Sequence, residues 1–450
     1  MNDSTGQLVA VIGGAVAGAE MARTLADGGA EVVVFEQNRR PFGKIEDGLP
    51  RWHSALRTKE YERIVEKLSH PNIHFVPLTR VGRDYSFEDV ANGFSAVVLA
   101  CGAWRDRPLP LEDVDLFVGK GLLYQNAFIV AFNHQDDPSY KGPPPDIADG
   151  ALVVGGGLAS IDVVKVLMLE TTRRALAERG IEVDVEQLEK TGIPRTLELN
   201  DLKWEDLGLQ GATLFYRRRA EDMPLVEMPQ DADDARREKI ERTRTRALDK
   251  AMSKFGFRFE PLSRPESLLV EDGRVVGLKF RRMAVEGGKL TATDETFERR
   301  GSRVISSIGS IPDPIPGIDM KGELFAFEDW SLGRLARYPH VFSAGNVVTG
   351  KGNIIASRKH SAGVASQLVE SFLGLDEDDD RSNEAGMLDA MEKGARAEAE
   401  RLASSVNELP GIDPQRREET LRKVAGRQKE VGYDGDLKAW TRDPVTPQPA

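Results

Sequence analysis

The chain opens on an apolar run at residues 8–12 that stops at Gly13 and Gly14, and small and apolar residues then recur at helical spacing as far as Leu25. A second apolar run, 31–35, ends at Glu36. Strand, glycine turn, helix and strand in succession within about thirty residues match one βαβ unit. The run SAVVLA at 95–100 predicts another buried strand. The pattern then recurs: an apolar run at 151–154, the triplet Gly155-Gly156-Gly157, helical spacing over 160–169, and a strand over 213–216 that ends in Arg217, Arg218 and Arg219. The second pair of strands is spaced more widely than a minimal unit, which predicts a helical insertion at about 171–210. Two copies of one unit imply two nucleotide-binding domains.

Further along, 257–280 alternates and carries Glu-Asp-Gly at 271–273, a hairpin turn signal. Buried strands are expected at 303–308 (RVISSI) and 340–344 (HVFSA), the latter followed by a glycine-rich loop and a helix over 357–373. The acidic run 376–380 marks a boundary. Beyond it the composition shifts to Ala, Glu, Arg and Lys at helical spacing, which reads as surface helices without identifiable chemistry, with 433–450 irregular. The expected fold class is α/β, two Rossmann-like dinucleotide-binding domains plus a helical carboxyl-terminal extension.

Composition narrows the function classes. Of 450 residues, 40% are hydrophobic and 30% charged, and 61 Lys and Arg against 73 Asp and Glu give a net charge of −12. This balance argues against nucleic acid as the main partner. One cysteine excludes an internal disulfide, a four-cysteine cluster and a CxxC pair, and fits a reducing compartment. No run reaches the ~18 apolar residues of a spanning helix. The apolar stretch 8–19 lacks a basic flank and is broken by glycines, so it is not a signal core. No membrane and a cytoplasmic setting are therefore expected. The six histidines show no HExxH spacing, so no metal site is expected.

The first candidate site is Gly13-Gly14-Ala15-Val16-Ala17-Gly18. Free N–H groups and the dipole at a helix start suit an anion, and a pyrophosphate needs small residues at the turn. Glu36, at the end of the second strand, is placed to accept hydrogen bonds from both hydroxyls of an adenosine ribose. Ala15 stands where the fingerprint has its middle glycine. The second site is Gly155-Gly156-Gly157-Leu158-Ala159-Ser160, whose partner strand ends in arginines instead of an acid. Guanidinium groups match a ribose 2′-phosphate that Glu would repel, which favours NADP(H) over NAD(H). The alternative is a solvated strand end, since Glu221 and Asp222 lie close by. One site for free ribose hydroxyls and one for a phosphate suggest FAD plus NADPH, with the chemistry belonging to the cofactors and no side-chain triad required. Cys101, in ACGAW, is expected to be a buried turn residue and not a redox centre.

Over residues 7–373 the chain resembles the adrenodoxin reductase family of NADPH–ferredoxin reductases. The carrying motifs are Pro41-Phe42-Gly43, GGGLASID at 155–162, FGFRF at 255–259, EDGRVVG at 271–277, SSIG at 306–309 and AGNVVTGKGNIIAS from Ala344. RRRAEDMP at 217–224 also resembles the small subunit of glutamate synthase. The resemblance implies an FAD domain split in sequence (1–104 and 316–375), an inserted NADP domain (105–315) and an extension (376–450). It implies FAD contacts at Gly13, Ala15, Gly18, Glu36, Lys44, Val81, Gly345, Asn346, Asn353, Ile354 and Ile355. It implies NADP contacts at Gly155, Gly157, Leu158, Ala159, Ser160, Arg217 and Arg218.

Several positions depart from the family pattern. Lys44 falls where the family has a Leu beside the FAD, Asn346 takes the place of the loop's Trp, and Asn353 replaces a glycine next to the flavin. Asn346 also stands where broader relatives carry an Asp on a ribityl hydroxyl, a role an amide can fill. The implied activity is hydride transfer from NADPH to FAD, then electron transfer to a ferredoxin-like acceptor. The basic-leaning stretch 234–254 is a candidate docking helix, or else a solvated one. Competing readings are an electron-input subunit of a larger complex, which the lack of a cysteine-rich segment disfavours, and a non-enzymatic FAD-binding module.

Overall fold

The computed structural model describes residues 6–138, 140–229, 231–349, 369–370, 373–375 and 382–442, with the side chains of 349 and 382–391 excepted. The expected helix over 357–373 falls largely outside these residues, and Asn353, Ile354 and Ile355 fall wholly outside them.

Two five-stranded sheets organise the chain. The first runs Val341–Ser343, Ala96–Leu99, Leu8–Ile12, Glu31–Phe35, Ile73–Val76, and every neighbouring pair is parallel. Its strands are nearly continuous Val, Leu, Ile and Phe because helices or loops cover both faces. Leu8–Ile12 and Ala96–Leu99 are buried throughout. Ile12 is in register with both Phe35 and Leu99, so these three strands end level. Gly13, Glu36 and Ala100 therefore share one edge, the carboxyl edge where ligands of such sheets bind.

The second sheet repeats the plan as Leu122–Tyr124, Val304–Ser307, Leu152–Gly155, Thr213–Phe215, Arg258–Glu260, again all parallel. Helices Val185–Thr191 and Ile193–Leu199 lie between its strands Leu152–Gly155 and Thr213–Phe215. A three-stranded antiparallel sheet follows (Ser263–Glu271, Arg274–Glu286, Lys289–Arg300), and its first turn uses Asp272 and Gly273, both at positive φ. That is the backbone a tight two-residue hairpin demands.

The carboxyl-terminal helices are not a separate surface layer. Helix Ser382–Asn407 packs on helix Val16–Asp27 through Ala399, Leu402, Ala403 and Val406, all buried. From helix Pro414–Glu430, Arg427 Nε donates to Thr79 Oγ1 at 2.9 Å, and Gln428 Nε2 donates to the Phe75 carbonyl at 2.7 Å. The expectation of an irregular 433–450 is corrected in part: Leu437–Arg442 is a short helix. Asp436 accepts the Ala439 N–H at 2.9 Å, Leu437 is buried, and Trp440 donates to the Arg39 carbonyl at 2.9 Å while the Arg39 guanidinium lies 3.9 Å above its ring. A cap and one aromatic anchor suffice for six residues that periodicity alone does not flag.

Candidate functional site: two glycine turns and a cleft at a sheet edge

A cleft of about 1030 Å³ lies along the carboxyl edge of the first sheet. This is at the top of the range of about 300–1,000 Å³ for small-molecule sites. Its wall is assembled from successive strand ends: Ile12 and Gly13, Phe35 and Glu36, Ala100 and Cys101, Ala344 and Gly345.

The glycines of the first turn are required by the protein's own packing. Gly13 is at φ +102°, and a Cβ there would lie 2.6 Å from the Ala100 carbonyl oxygen. A Cβ on Gly18 would run into the Gly13 carbonyl oxygen, so the helix sits directly on the turn. Ala15 is the N-cap residue of Val16–Asp27 and offers no side-chain cap. By contrast Ser86, Asp184, Asp233 and Asp413 cap their helices with side-chain oxygens. The leading N–H groups of this helix are left for an anion.

Glu36 is buried at the floor of the cleft. Its Oε2 accepts the Gly14 N–H and its Oε1 the Asn38 N–H, each at 2.9 Å. Burial pushes its carboxyl up to about 7, against the pull of those N–H groups. Each carboxylate oxygen keeps a second lone pair for ribose hydroxyls. Val81, Lys44, Ala15 and Asn346 also line the cleft. Cys101 is half-buried in its wall instead of fully enclosed, and burial pushes its thiol up to about 12.

Helix Leu158–Ala177 in the second sheet begins the same way, with Gly157 as an N-cap lacking a side-chain bond. A Cβ on Gly155 would lie 2.5 Å from Ser160 Cβ, and one on Gly156 would collide with the Tyr216 ring. A Cβ on Gly157 would meet nothing within 4 Å, so that glycine leaves open space where backbone faces outward. Leu158 and Ser160 are turned inward, and the Ser160 hydroxyl donates to the Gly157 carbonyl at 2.6 Å. Of this segment, a ligand is offered the turn's backbone and the half-buried Gly157 and Ala159.

The neighbouring acids pair with Arg219. Arg219 takes Glu221 at 3.0 Å and Asp222 at 3.0 Å. Arg217 and Arg218 are exposed and have no ion-pair partner among the described residues. The cations of the basic helix Asp234–Phe255 are of mixed character. Arg244 is buried, donating to the Val226 carbonyl at 2.9 Å, Arg237 donates to the Ala232 carbonyl, Arg242 pairs with Glu238, and Arg246 and Lys250 pair with Glu370. Arg237, Lys239, Arg242 and Arg246 are exposed, so the helix combines structural bonds with solvent-facing cations.

Among the cleft residues that the sequence analysis does not name are two charged ones from the carboxyl-terminal extension. Glu398 and Arg401, on helix Ser382–Asn407, line the cleft beside the glycine turn, and the Glu398 carboxylate accepts the Gly345 N–H at 3.1 Å. Only tertiary packing brings them there, and no motif marks them. Among the described residues no group of His, Cys, Asp and Glu could hold a metal, and no helix is long and apolar enough to cross a membrane.

Residues 7–194 match the family described as pyridine nucleotide-disulphide oxidoreductase. The glutamate synthase [NADPH] small chain of Mycobacterium tuberculosis is 32% identical over 35% of this chain and 33% of that protein. The mitochondrial NADPH:adrenodoxin oxidoreductase of Salvelinus fontinalis is 25% identical over 78% of this chain and 74% of that one. The solved structure of Mycobacterium tuberculosis FprA in complex with NADPH superimposes with a TM-score of 0.63 at 18% identity, covering 94% of this chain and 91% of the other, which shows a shared fold. The chain spans about a third of the length of the first curated relatives it matches. Over residues 7–194 the chain is similar to the pyridine nucleotide-disulphide oxidoreductases, and its resemblance to the adrenodoxin reductases and the glutamate synthase small subunit is borne out.

Proposed function

We propose that the chain is an NADPH-dependent flavin oxidoreductase that binds FAD in the cleft of the first sheet and NADPH on the glycine turn of the second. When bound, these groups would supply the chemistry, hydride transfer that oxidises NADPH and reduces the flavin, with the two electrons then going singly to a ferredoxin-like acceptor. The observation that carries this is the contrast between the two turns. Glu36, buried and already held by two N–H groups, suits ribose hydroxyls. Arg217 and Arg218, left unpaired because Arg219 absorbs the acids, suit a 2′-phosphate.

The residues of this chain bind, orient and exclude water. Gly13, Ala15 and Gly18 let a pyrophosphate approach the helix start, Val81 closes the adenine end, and Gly345 and Asn346 close the far wall. Gly155, Gly157 and Ala159 do the same for NADPH, with Leu158 and Ser160 fixing the turn from inside. Asn353, Ile354 and Ile355 complete the flavin side in this proposal. It takes residues 1–104 and 316–375 as the FAD domain and 105–315 as the NADP domain. A cytoplasmic setting belongs to the same proposal, on the single cysteine.

An absorption spectrum of the purified protein before and after anaerobic NADPH tests it. A flavin spectrum bleached by NADPH is expected. A colourless protein that takes up no added FAD would end the proposal, and a flavin that NADPH cannot bleach would favour a non-enzymatic module.

A further inference from the structure

Lys44 opens the short helix Lys44–Asp47 of the first unit and lines the cleft. Its ammonium reaches across to the second unit. Nζ donates to Asn126 Oδ1 and to Ser310 Oγ, each at 3.2 Å, and lies 5.5 Å from the centre of the Trp104 ring. Asn126 and Ser310 come just after the carboxyl ends of strands Leu122–Tyr124 and Val304–Ser307. Lys44 thus sits where the carboxyl edges of the two sheets meet. Each edge is where a parallel sheet binds its nucleotide, so two coenzymes can exchange a hydride only at this junction.

The groups that bond this ammonium are neutral. Asn126 is fixed by its own bonds, Nδ2 donating to the Trp104 carbonyl at 2.8 Å and to Ser310 Oγ at 3.1 Å. The nearby acid, Asp106, is occupied by the Asn126 backbone N–H at 3.2 Å. Lys44 forms no ion pair among the described residues. Burial lowers its ammonium to about 8, with Asp106 opposing the shift, and burial raises Asp106 to about 6. A part-buried charge with no carboxylate at ion-pair distance is poorly compensated, and an anionic ligand in the cleft would supply what is missing. The pyrophosphate does not supply it, because the glycine turn and helix start already serve that group.

We propose that Lys44 is a positioning charge for the flavin ring, an unpaired ammonium held at the junction of the sheets to meet the negative charge that the ring gains on taking up electrons. The inference rests on the proposed flavin site and deepens it by assigning the residue that sets the flavin's reduction potential.

Spectroelectrochemical titration of the flavin-loaded protein tests it, comparing wild type, Lys44→Met and Lys44→Arg. Lys44→Met is expected to lose about tenfold in its preference for the reduced ring, seen as a midpoint about 30 mV lower for a two-electron couple. Lys44→Arg, which keeps the charge, is expected to stay near wild type. The cofactor-free proteins give a second readout: Lys44→Met is expected to melt above wild type, because it removes a part-buried charge that has no ion-pair partner among the described residues. Loss of flavin from Lys44→Met but not from Lys44→Arg would equally support the assignment. A yellow Lys44→Met at the wild-type potential, or one altered only in its KM for NADPH, would overturn this inference alone. A wild-type chain that takes up no flavin would remove the proposed function and this inference with it.

Discussion

The methyl group of Ala15 occupies the space that a side chain on Gly43 would need: a Cβ built on Gly43 lies 2.8 Å from Ala15 Cβ, and Gly43 is at φ +51°. The glycine missing from the middle of the first turn is thus matched by a glycine on the segment that covers it. Gly43→Ala is expected to strain the backbone by about 1–2 kcal/mol and push the turn aside, lowering Tm and weakening FAD binding. The double variant with Ala15→Gly should recover the part due to collision but not the part due to φ. Equal losses in single and double variants, read by thermal melts and flavin titration, would show that the two positions are uncoupled.

Arg217→Ala with Arg218→Ala is expected to raise the KM for NADPH at least tenfold, equivalent to about 1.4 kcal/mol, while leaving that for NADH nearly unchanged. Steady-state kinetics with both nucleotides decides the matter. Parallel increases would mean that these arginines do not read the 2′-phosphate.

Glu36 gives a pH signature. Its carboxyl is raised from 4.5 to about 7, mainly by burial, so the cofactor-free folded state holds a proton that the unfolded chain releases. Stability from this group is present below about pH 4.5 and is lost as pH rises towards 7. Glu36→Gln removes the titration but also disturbs the bonds to Gly14 and Asn38. The prediction therefore concerns the slope: wild-type Tm falls relative to that of Glu36→Gln between pH 5 and 7 and then runs parallel. A constant offset across this range would refute it.

Glu398 and Arg401 carry opposite charges into the cleft beside the glycine turn. For an anionic pyrophosphate, Arg401→Ala should weaken FAD binding several-fold and Glu398→Gln should tighten it. Both effects should shrink as salt rises above about 0.1 M, where exposed charges are screened. Fluorescence titration at two ionic strengths reads both, and changes of the same sign would count against this placement of the phosphates.

Lys165 and Glu189 form a buried ion pair at 2.8 Å, with the lysine side chain 0% exposed. Lys165 Nζ also donates to the Leu373 carbonyl at 3.0 Å, and the Trp52 ring centre lies 4.9 Å away. Lys165→Met should destabilise the protein by about 3–5 kcal/mol, because Glu189 is left charged and alone. Adding Glu189→Leu should return most of that in chemical denaturation.

The sequence by itself determined both βαβ units, their glycine turns and the contrast between Glu36 and the arginines. Each of these is local: alternation or a run of apolar residues fixes a strand, a positive φ calls for glycine, and a charge at a strand end needs only the next few residues to be read. What only the tertiary structure decided depends on partners far apart in the chain. Lys44 and Ser310 are separated by 266 positions, and their meeting converts an ordinary surface residue type into a part-buried cation on the cleft wall. The tail looked like solvated helices because its apolar positions are few, yet Leu402 and Val406 are fully buried against Val16–Asp27, which carries Glu398 and Arg401 into the cleft. Which arginine in the run 217–219 is free was likewise settled by side-chain geometry, since Arg219 alone reaches both acids. Burial and pairing are properties of the packed chain, and they set the energy of a charge more strongly than its residue type does.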